Sequence, residues 1–290
     1  MNFPPLRPGD RVGLTACSNG LNPANAWQVD QLCQLLASFG LVPLRSRYLF
    51  AGTSPYSGTD YQRAAALEAF YQNNSVRAIF DLSGGDLTNG VLNHLDFDLI
   101  RRNPKSFFGY SDLSVLLNAI YQKTGVCGCL YSLRNLIRED GAAQVKRFQP
   151  FLMGQDAGLT RLHYRFVQGR QMEGVVVGGN LRCFLKLAGT PYFPDLTEKI
   201  LLLESLGGGL PQIAALFQQL RQMGAFEQVN GVLLGTFTQY QETVLQPSVE
   251  ELLCTIAENP RLPVAKTEDV GHGPDARCVV IGSRQRFSQT

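Results

Sequence analysis

A serine, a histidine and a carboxylate in this chain could together do nucleophilic chemistry. Ser111 lies in Pro104-Lys105-Ser106-Phe107-Phe108-Gly109-Tyr110-Ser111-Asp112-Leu113. Phe107 and Phe108 favour a strand, and Leu113, Leu116, Leu117 and Ile120 recur at helical spacing. Ser111 is therefore expected on the turn between strand and helix, beside free backbone N–H groups that can stabilise an oxyanion. The alternative is that Ser111 or Asp112 caps the helix, the commoner role of such residues. A hydroxyl needs a base to become a nucleophile, and histidine is the usual one. His272 stands between Gly271 and Gly273, free of bulky neighbours; His94 follows a helix, and His163 adjoins Tyr164 and Arg165 in a polar segment. The base in turn needs an acceptor on its other ring nitrogen. Glu204 ends the apolar run 200–203. It either turns to solvent or is paired, and pairing with His272 would offset its desolvation.

A second element is Ser83-Gly84-Gly85-Asp86, directly after the apolar segment 76–82. Glycines there can bring backbone N–H groups close to a ligand. Gly85 and the N–H of Asp112 could form an oxyanion hole, or the pair could be an ordinary loop. The spacing is neither that of a dinucleotide site nor that of a phosphate loop.

Alternating elements must position these residues. Strands are expected at 11–16, 41–45, 76–82 and 107–108, with helices at 24–39, 60–71 and after Asp112. Such alternation implies a parallel sheet with helices on both faces, and its ligand site lies beyond the carboxyl ends of the strands. From 134 to 171 the periodicity is poor, with Gly141, Pro150, Gly154, Gly158 and Gly169 as punctuation, so this stretch reads as a crossing segment between two domains. The second half resumes with a strand at 174–177, a turn at Gly178-Gly179-Asn180, a helix through 187 and a strand at 200–204. Helices at 211–223 and 248–257 and strands at 231–234, 263–265 and 279–282 follow, the last closing the chain. The resulting division is 1–135, a crossing segment at 136–170, and 171–290. The order Ser, Glu, His occurs in α/β-hydrolases, but Gly109-Tyr110-Ser111-Asp112-Leu113 lacks the second elbow glycine and the pattern splits in two.

With 44% hydrophobic and 17% charged residues the chain is a globular protein, not a disordered one. Its net charge of +2, without basic runs, argues against nucleic-acid or membrane-surface partners. Residues 1–10 contain three prolines and no apolar core, unlike a signal peptide, and no apolar run would span a bilayer. The seven cysteines are scattered and form no Cys-x-x-Cys; Cys127 and Cys129 would share one strand face. Reduced thiols in a cytoplasmic protein are expected, with no metal and no cofactor.

The residues together resemble the LD-carboxypeptidases, the serine peptidase family that includes murein tetrapeptide carboxypeptidases and microcin-immunity peptidases. The resemblance rests on Leu6-Arg7-Pro8-Gly9-Asp10, Ser83-Gly84-Gly85, Gly109-Tyr110-Ser111-Asp112, Gly178-Gly179-Asn180-Leu181, Gly189-Thr190-Pro191-Tyr192, the 200–204 strand and Gly271-His272-Gly273, in the family's order. It implies a flavodoxin-like parallel-sheet amino-terminal domain carrying Ser111 and a smaller mixed β/α carboxyl-terminal domain carrying Glu204 and His272, with the site between them. Ser111 would be the nucleophile, His272 the base and Glu204 its orienting acid, with Gly85 and Asp112 as the oxyanion hole. The implied reaction is hydrolysis of an L,D peptide bond, releasing terminal D-Ala from a murein tetrapeptide. The substrate is a small peptide, and a homodimer is the family's common assembly. Asp86, Asn180 and Arg182 are candidate substrate contacts, and Arg182 or Arg134 a cationic partner for a substrate carboxylate. The loop Gly84-Gly85-Asp86-Leu87-Thr88-Asn89-Gly90 looks closer to the immunity branch, which implies a peptide–nucleotide or related amide as the alternative substrate. A binding protein that kept the cleft and lost catalysis is the third reading.

Overall fold

The computed structural model describes residues 4–243 and 246–289; residues 1–3 of the amino-terminal reading lie outside it. Five strands build the first sheet from the amino-terminal half: β1 (Arg11–Thr15), β2 (Val42–Arg45), β3 (Val76–Asp81), β4 (Ser106–Gly109) and β5 (Gly128–Leu130). They are parallel in the order β2-β1-β3-β4-β5, the flavodoxin-like order, whose switch point lies between β1 and β3. The second sheet contains β6 (Arg165–Gln168), β7 (Gln171–Asn180), β8 (Lys199–Ser205), β9 (Gly231–Phe237) and β10 (Val264–Lys266). Strands β7 to β10 are parallel, and β6 runs antiparallel at one edge.

The carboxyl terminus crosses back. β11 (Val279–Ile281) pairs antiparallel with β5 and so extends the first sheet, and β12 (Arg284–Ser288) pairs antiparallel with β7 in the second. The strand expected at 279–282 is therefore not the last one. β12 escapes pattern reading because Arg-Gln-Arg-Phe-Ser offers a single apolar residue to a sheet edge.

Alternation along β4 sends Phe107 and Phe108 to opposite faces of the first sheet. Phe108 packs with Phe80, Phe148 and Phe151 at ring separations of 4.9, 5.8 and 6.4 Å. Phe148 and Phe151 belong to the helix Gly141–Leu152, within the segment whose periodicity looked poor. Gly141 at its start and Pro150 in its last turn hide the helix from propensity reasoning. Phe107 faces the other way, into a core shared with Leu116, Leu117 and Ile120 and with Val176, Ile200 and Leu202 of the second sheet. The helix Ser114–Thr124 is thus clasped between the two sheets, and each residue from Ser114 to Ile120 is buried. No helix among the described residues is long and apolar enough to cross a membrane.

Two glycines permit this clasp. Gly178 and Gly179 lie inside β7 rather than in the expected turn, with φ of +102° and +131°. A Cβ on Gly179 would stand 2.5 Å from Ser114 Oγ.

Phe108→Ala should lower stability by about 3–5 kcal/mol, because the aromatic cluster cannot collapse onto the space left. Urea unfolding should show the midpoint falling with an unchanged slope.

Candidate active site

The carboxyl ends of both sheets face one cavity of about 340 Å³. From the first sheet come the loops after β1, β3, β4 and β5; from the second come Leu206 and the Gly271-His272 loop. The Asn19 N–H donates to Gly84 O at 3.2 Å, so the loops after β1 and β3 meet at the switch point.

Ser111 follows β4 at the start of the short 3-10 helix Ser111–Leu113, which runs into the helix Ser114–Thr124. Its φ is +57°. A non-glycine residue in this region costs about 1–2 kcal/mol, and a strained strand-to-helix turn is how a serine hydroxyl is held out from a sheet. No side-chain capping bond forms here, so the capping alternative for Ser111 and Asp112 does not apply.

Glu204 is fully buried. In the parallel register of β7 and β8 it sits opposite Asn180. Asn180 Nδ2 donates to Glu204 Oε1 at 3.0 Å, and Glu204 Oε2 lies 2.8 Å from His272 Nδ1. An ionised Glu204 is acceptor-only, so Nδ1 carries the ring hydrogen and Nε2 presents its lone pair. Nε2 is buried without a partner, and the residue lines the cavity alongside Ser111. Tyr110 meets the imidazole edge-on, with ring centroids 5.0 Å apart. Burial and the nearby Glu204 carboxylate push its phenol well above the usual value. The arrangement supplies a free imidazole nitrogen, backed by a carboxylate, in one cavity with a strained serine.

Asp112 follows Ser111 and its side chain is buried. Ser18 Oγ and the Thr88 N–H donate to Oδ2 at 2.7 and 2.9 Å, and Lys186 Nζ reaches Oδ1 at 2.6 Å. Burial raises this carboxyl, but the bonds from Lys186, Ser18 and Thr88 outweigh it, and the group is held below the usual carboxylate range. Gly84 and Gly85 line the cavity. Gly85 has φ +120°, and a Cβ there would strike the Asn19 side chain at 2.3 Å.

Asp86, Asn180 and Arg182 do not line this cavity. Asn180 is spent on Glu204 and on the Cys183 N–H. Arg182 forms an ion pair with Asp86, and Lys186 joins it at 3.1 Å. This cluster bridges the Gly-Gly loop to the short helix Leu181–Leu185 and its C-cap. Arg134 does line the cavity, together with Arg138.

Pattern reading also missed residues that hold the loops. Asp81 accepts from the Cys17 and Ser83 N–H groups at 2.7 and 2.9 Å. Buried Arg63 donates to Cys17 O and to Ser18 O. Lys186 carries no motif; its one sequence signal is the four-residue spacing from Arg182.

Lys186→Met should cost about 3–5 kcal/mol at neutral pH, since it leaves a buried carboxylate without its cation. Asp112 has a lowered folded pKa, so the pair's contribution is present above the ordinary carboxylate value near ~4 and is lost as pH falls through the lower folded value. Urea midpoints of parent and variant should therefore differ at pH 7 and converge on acidification.

Residues 12–131 match the LD-carboxypeptidase N-terminal domain and residues 173–287 the LD-carboxypeptidase C-terminal domain. A probable murein peptide carboxypeptidase of Bacillus subtilis is 28% identical, over 98% of this chain and 91% of its own. The microcin C7 self-immunity protein MccF of Escherichia coli is 26% identical, over 74% of this chain and 72% of its own. Among solved structures, an MccF-like protein from Bacillus anthracis superposes with a TM-score of 0.88 at 24% identity, covering all of this chain and 96% of the other. A muramoyltetrapeptide carboxypeptidase from Oxalobacter formigenes superposes with a TM-score of 0.81 at 20% identity, over 97% and 95%. Two matched domains, spanning most of the sequence in the expected order, establish that this chain belongs to the LD-carboxypeptidase family.

Proposed function

We propose that this protein is a serine-type LD-carboxypeptidase that releases the terminal D-residue of a murein tetrapeptide. The observation that carries the reading is the 2.8 Å Glu204–His272 pair, whose Nε2 is left without a partner in a cavity that Ser111 also lines. Ser111 Oγ attacks the carbonyl carbon of the L-residue while His272 Nε2 takes the hydroxyl proton. Glu204 stabilises the imidazolium that forms. The Gly85 and Asp112 N–H groups receive the oxyanion of the tetrahedral intermediate. The intermediate collapses, the C–N bond breaks, and His272 returns its proton to the amine of the departing D-amino acid. Water then attacks the acyl-enzyme, with His272 again as base, and Ser111 is regenerated. The residues that would carry these steps are all protein groups. The free state of all seven cysteines agrees with a reducing compartment, and we place the enzyme in the cytoplasm.

The similarity to MccF supports a second substrate class. Solved complexes of that protein hold aspartyl sulfamoyl adenosine and glutamyl sulfamoyl guanosine. The same nucleophile could open an amide in such a compound without altered machinery. A binding protein without catalysis has less support, because a strained non-glycine turn at Ser111 is costly to keep for packing alone.

Incubation with a murein tetrapeptide should release D-Ala. Ser111→Ala should reduce turnover by ~10⁴-fold or more. Glu204→Gln should preserve the fold and lower kcat by about 10³–10⁴-fold through loss of the imidazole's orientation. Full turnover in Ser111→Ala would rule out the mechanism. Release from aminoacyl sulfamoyl nucleosides alone would move the substrate to the second class.

A further inference from the structure

The cavity has a charge pattern that the catalytic steps do not use. Its lining includes Arg134 and Arg138 and no carboxylate. Neither arginine forms an ion pair among the described residues, whereas Arg182 of the second domain is paired with Asp86. The two guanidinium groups are four residues apart, spanning the 3-10 helix Leu133–Ile137 and its C-cap. Arg138 Nη1 donates to His272 O at 3.2 Å, so one cation is tied to the loop that carries the imidazole.

The neutral residues around them present donors too. Asn19 Oδ1 accepts from the Asp86 N–H and Asn22 Oδ1 from the Ala24 N–H, both at 3.0 Å. With the oxygens engaged by backbone, the free ends of these amides are NH₂ groups. Asn135 is only 2% exposed, lies between the two arginines and lines the same cavity. Two like charges held in a cleft without a counter-ion repel each other, and an arriving anion removes that repulsion while forming charge-assisted hydrogen bonds.

We propose that Arg134, Arg138 and Asn135 form an anion subsite that takes the free C-terminal carboxylate of the peptide substrate and confines the enzyme to removal of a terminal residue. The assignment rests on the carboxypeptidase reading above. In such a substrate the terminal carboxylate is separated from the scissile nitrogen by a single Cα, so its cationic partner has to stand in the cavity that holds Ser111 and His272, and Arg134 and Arg138 line that cavity. Arg134, whose side chain has no partner among the described residues, is the main ligand. Arg138 has a divided role, binding the anion and positioning the His272 loop. Arg182 is excluded, since Asp86 already neutralises it.

The test compares one peptide ending in L-Lys-D-Ala as the free acid and as the C-terminal amide, using the full-length protein. The acid should be cleaved with a kcat/KM at least about 50-fold above that of the amide. Arg134→Met should raise KM for the acid and bring the two substrates within about threefold of each other, with amide cleavage little changed; Arg134→Lys should restore part of the preference. Arg138→Met should lower kcat for both substrates in addition. Equal cleavage of acid and amide by the parent would overturn the subsite and leave the carboxypeptidase chemistry standing. So would an Arg134→Met variant that is folded by circular dichroism and retains the parent's preference. Cleavage of neither peptide by the parent would instead defeat the underlying reading, and the subsite with it.

Discussion

The site depends on the docking of one buried helix onto one strand. Ser111 is delivered by the first sheet and the Glu204–His272 pair by the second, so their alignment is set wherever the two meet. That place is the contact between the helix Ser114–Thr124 and β7. Asn118 grips Gly178 from both sides, with Nδ2 donating to the carbonyl at 2.7 Å and Oδ1 accepting from the N–H at 2.8 Å. Four residues earlier, Ser114 Oγ accepts from the Asn180 N–H at 2.9 Å. The serine turn starts this helix and Asn180 ends this strand, so the clamp sits between Ser111 and the residue that holds Glu204. Each bond is buried, where an unmet partner costs more than in water.

The same geometry makes a buried carboxylate tolerable at the core. Glu204 is out of water, and an isolated charge there would neutralise itself. Asn180 satisfies one oxygen and His272 the other, so desolvation is offset by groups the site requires anyway. Asn180 can do this because parallel pairing of β7 with β8 sets the two residues side by side. Asp112 solves the matching problem in the first domain with a lysine and two neutral donors. Its cation comes from the second domain, so one partly buried ion pair both compensates a charge and ties the two halves together.

Much of this was legible in the residues. Strand–helix alternation gives β1 to β4 of the first sheet, whereas β5, three residues long at Gly128–Leu130, is too short for a pattern to be read. A serine on a strand-to-helix turn, a carboxylate at the end of an apolar strand and a histidine between glycines each carry a local signal. Other features do not. Gly178-Gly179 reads as a turn from local propensity, and only the approach of Ser114 explains why glycine stands inside a strand. The helix Gly141–Leu152 is stabilised by Phe148 and Phe151 packing on Phe108, a contact across some forty residues that overrides Gly141 and Pro150. Strands β6 and β12 are edge strands with mixed polarity, and pairing supplies what pattern lacks. Lys186 has no local signal beyond its spacing from Arg182, since its role exists only once two domains come together.

The distribution of charge around the cleft separates the tasks of its two walls. Arg182 and Lys186 come from the second domain and are consumed by Asp86 and Asp112 of the first, so these four groups hold the domains together and leave little field inside the cavity. The second domain's remaining contribution to the lining is the imidazole, with Leu206 and Gly271 beside it. The loops beyond the first sheet supply the serine, the asparagine amides and both arginines, neither of which forms an ion pair among the described residues. Under the proposed mechanism, proton transfer belongs to one wall, and the proposed recognition of a substrate carboxylate to the other. On the proposed subsite, changes on the 3-10 helix Leu133–Ile137 would alter what is bound without touching Glu204 and His272, except through Arg138, whose bond to His272 O joins the two walls. If the proposed subsite and mechanism hold, that single link makes Arg138 the position where substrate selection and the placement of the imidazole cannot be varied independently.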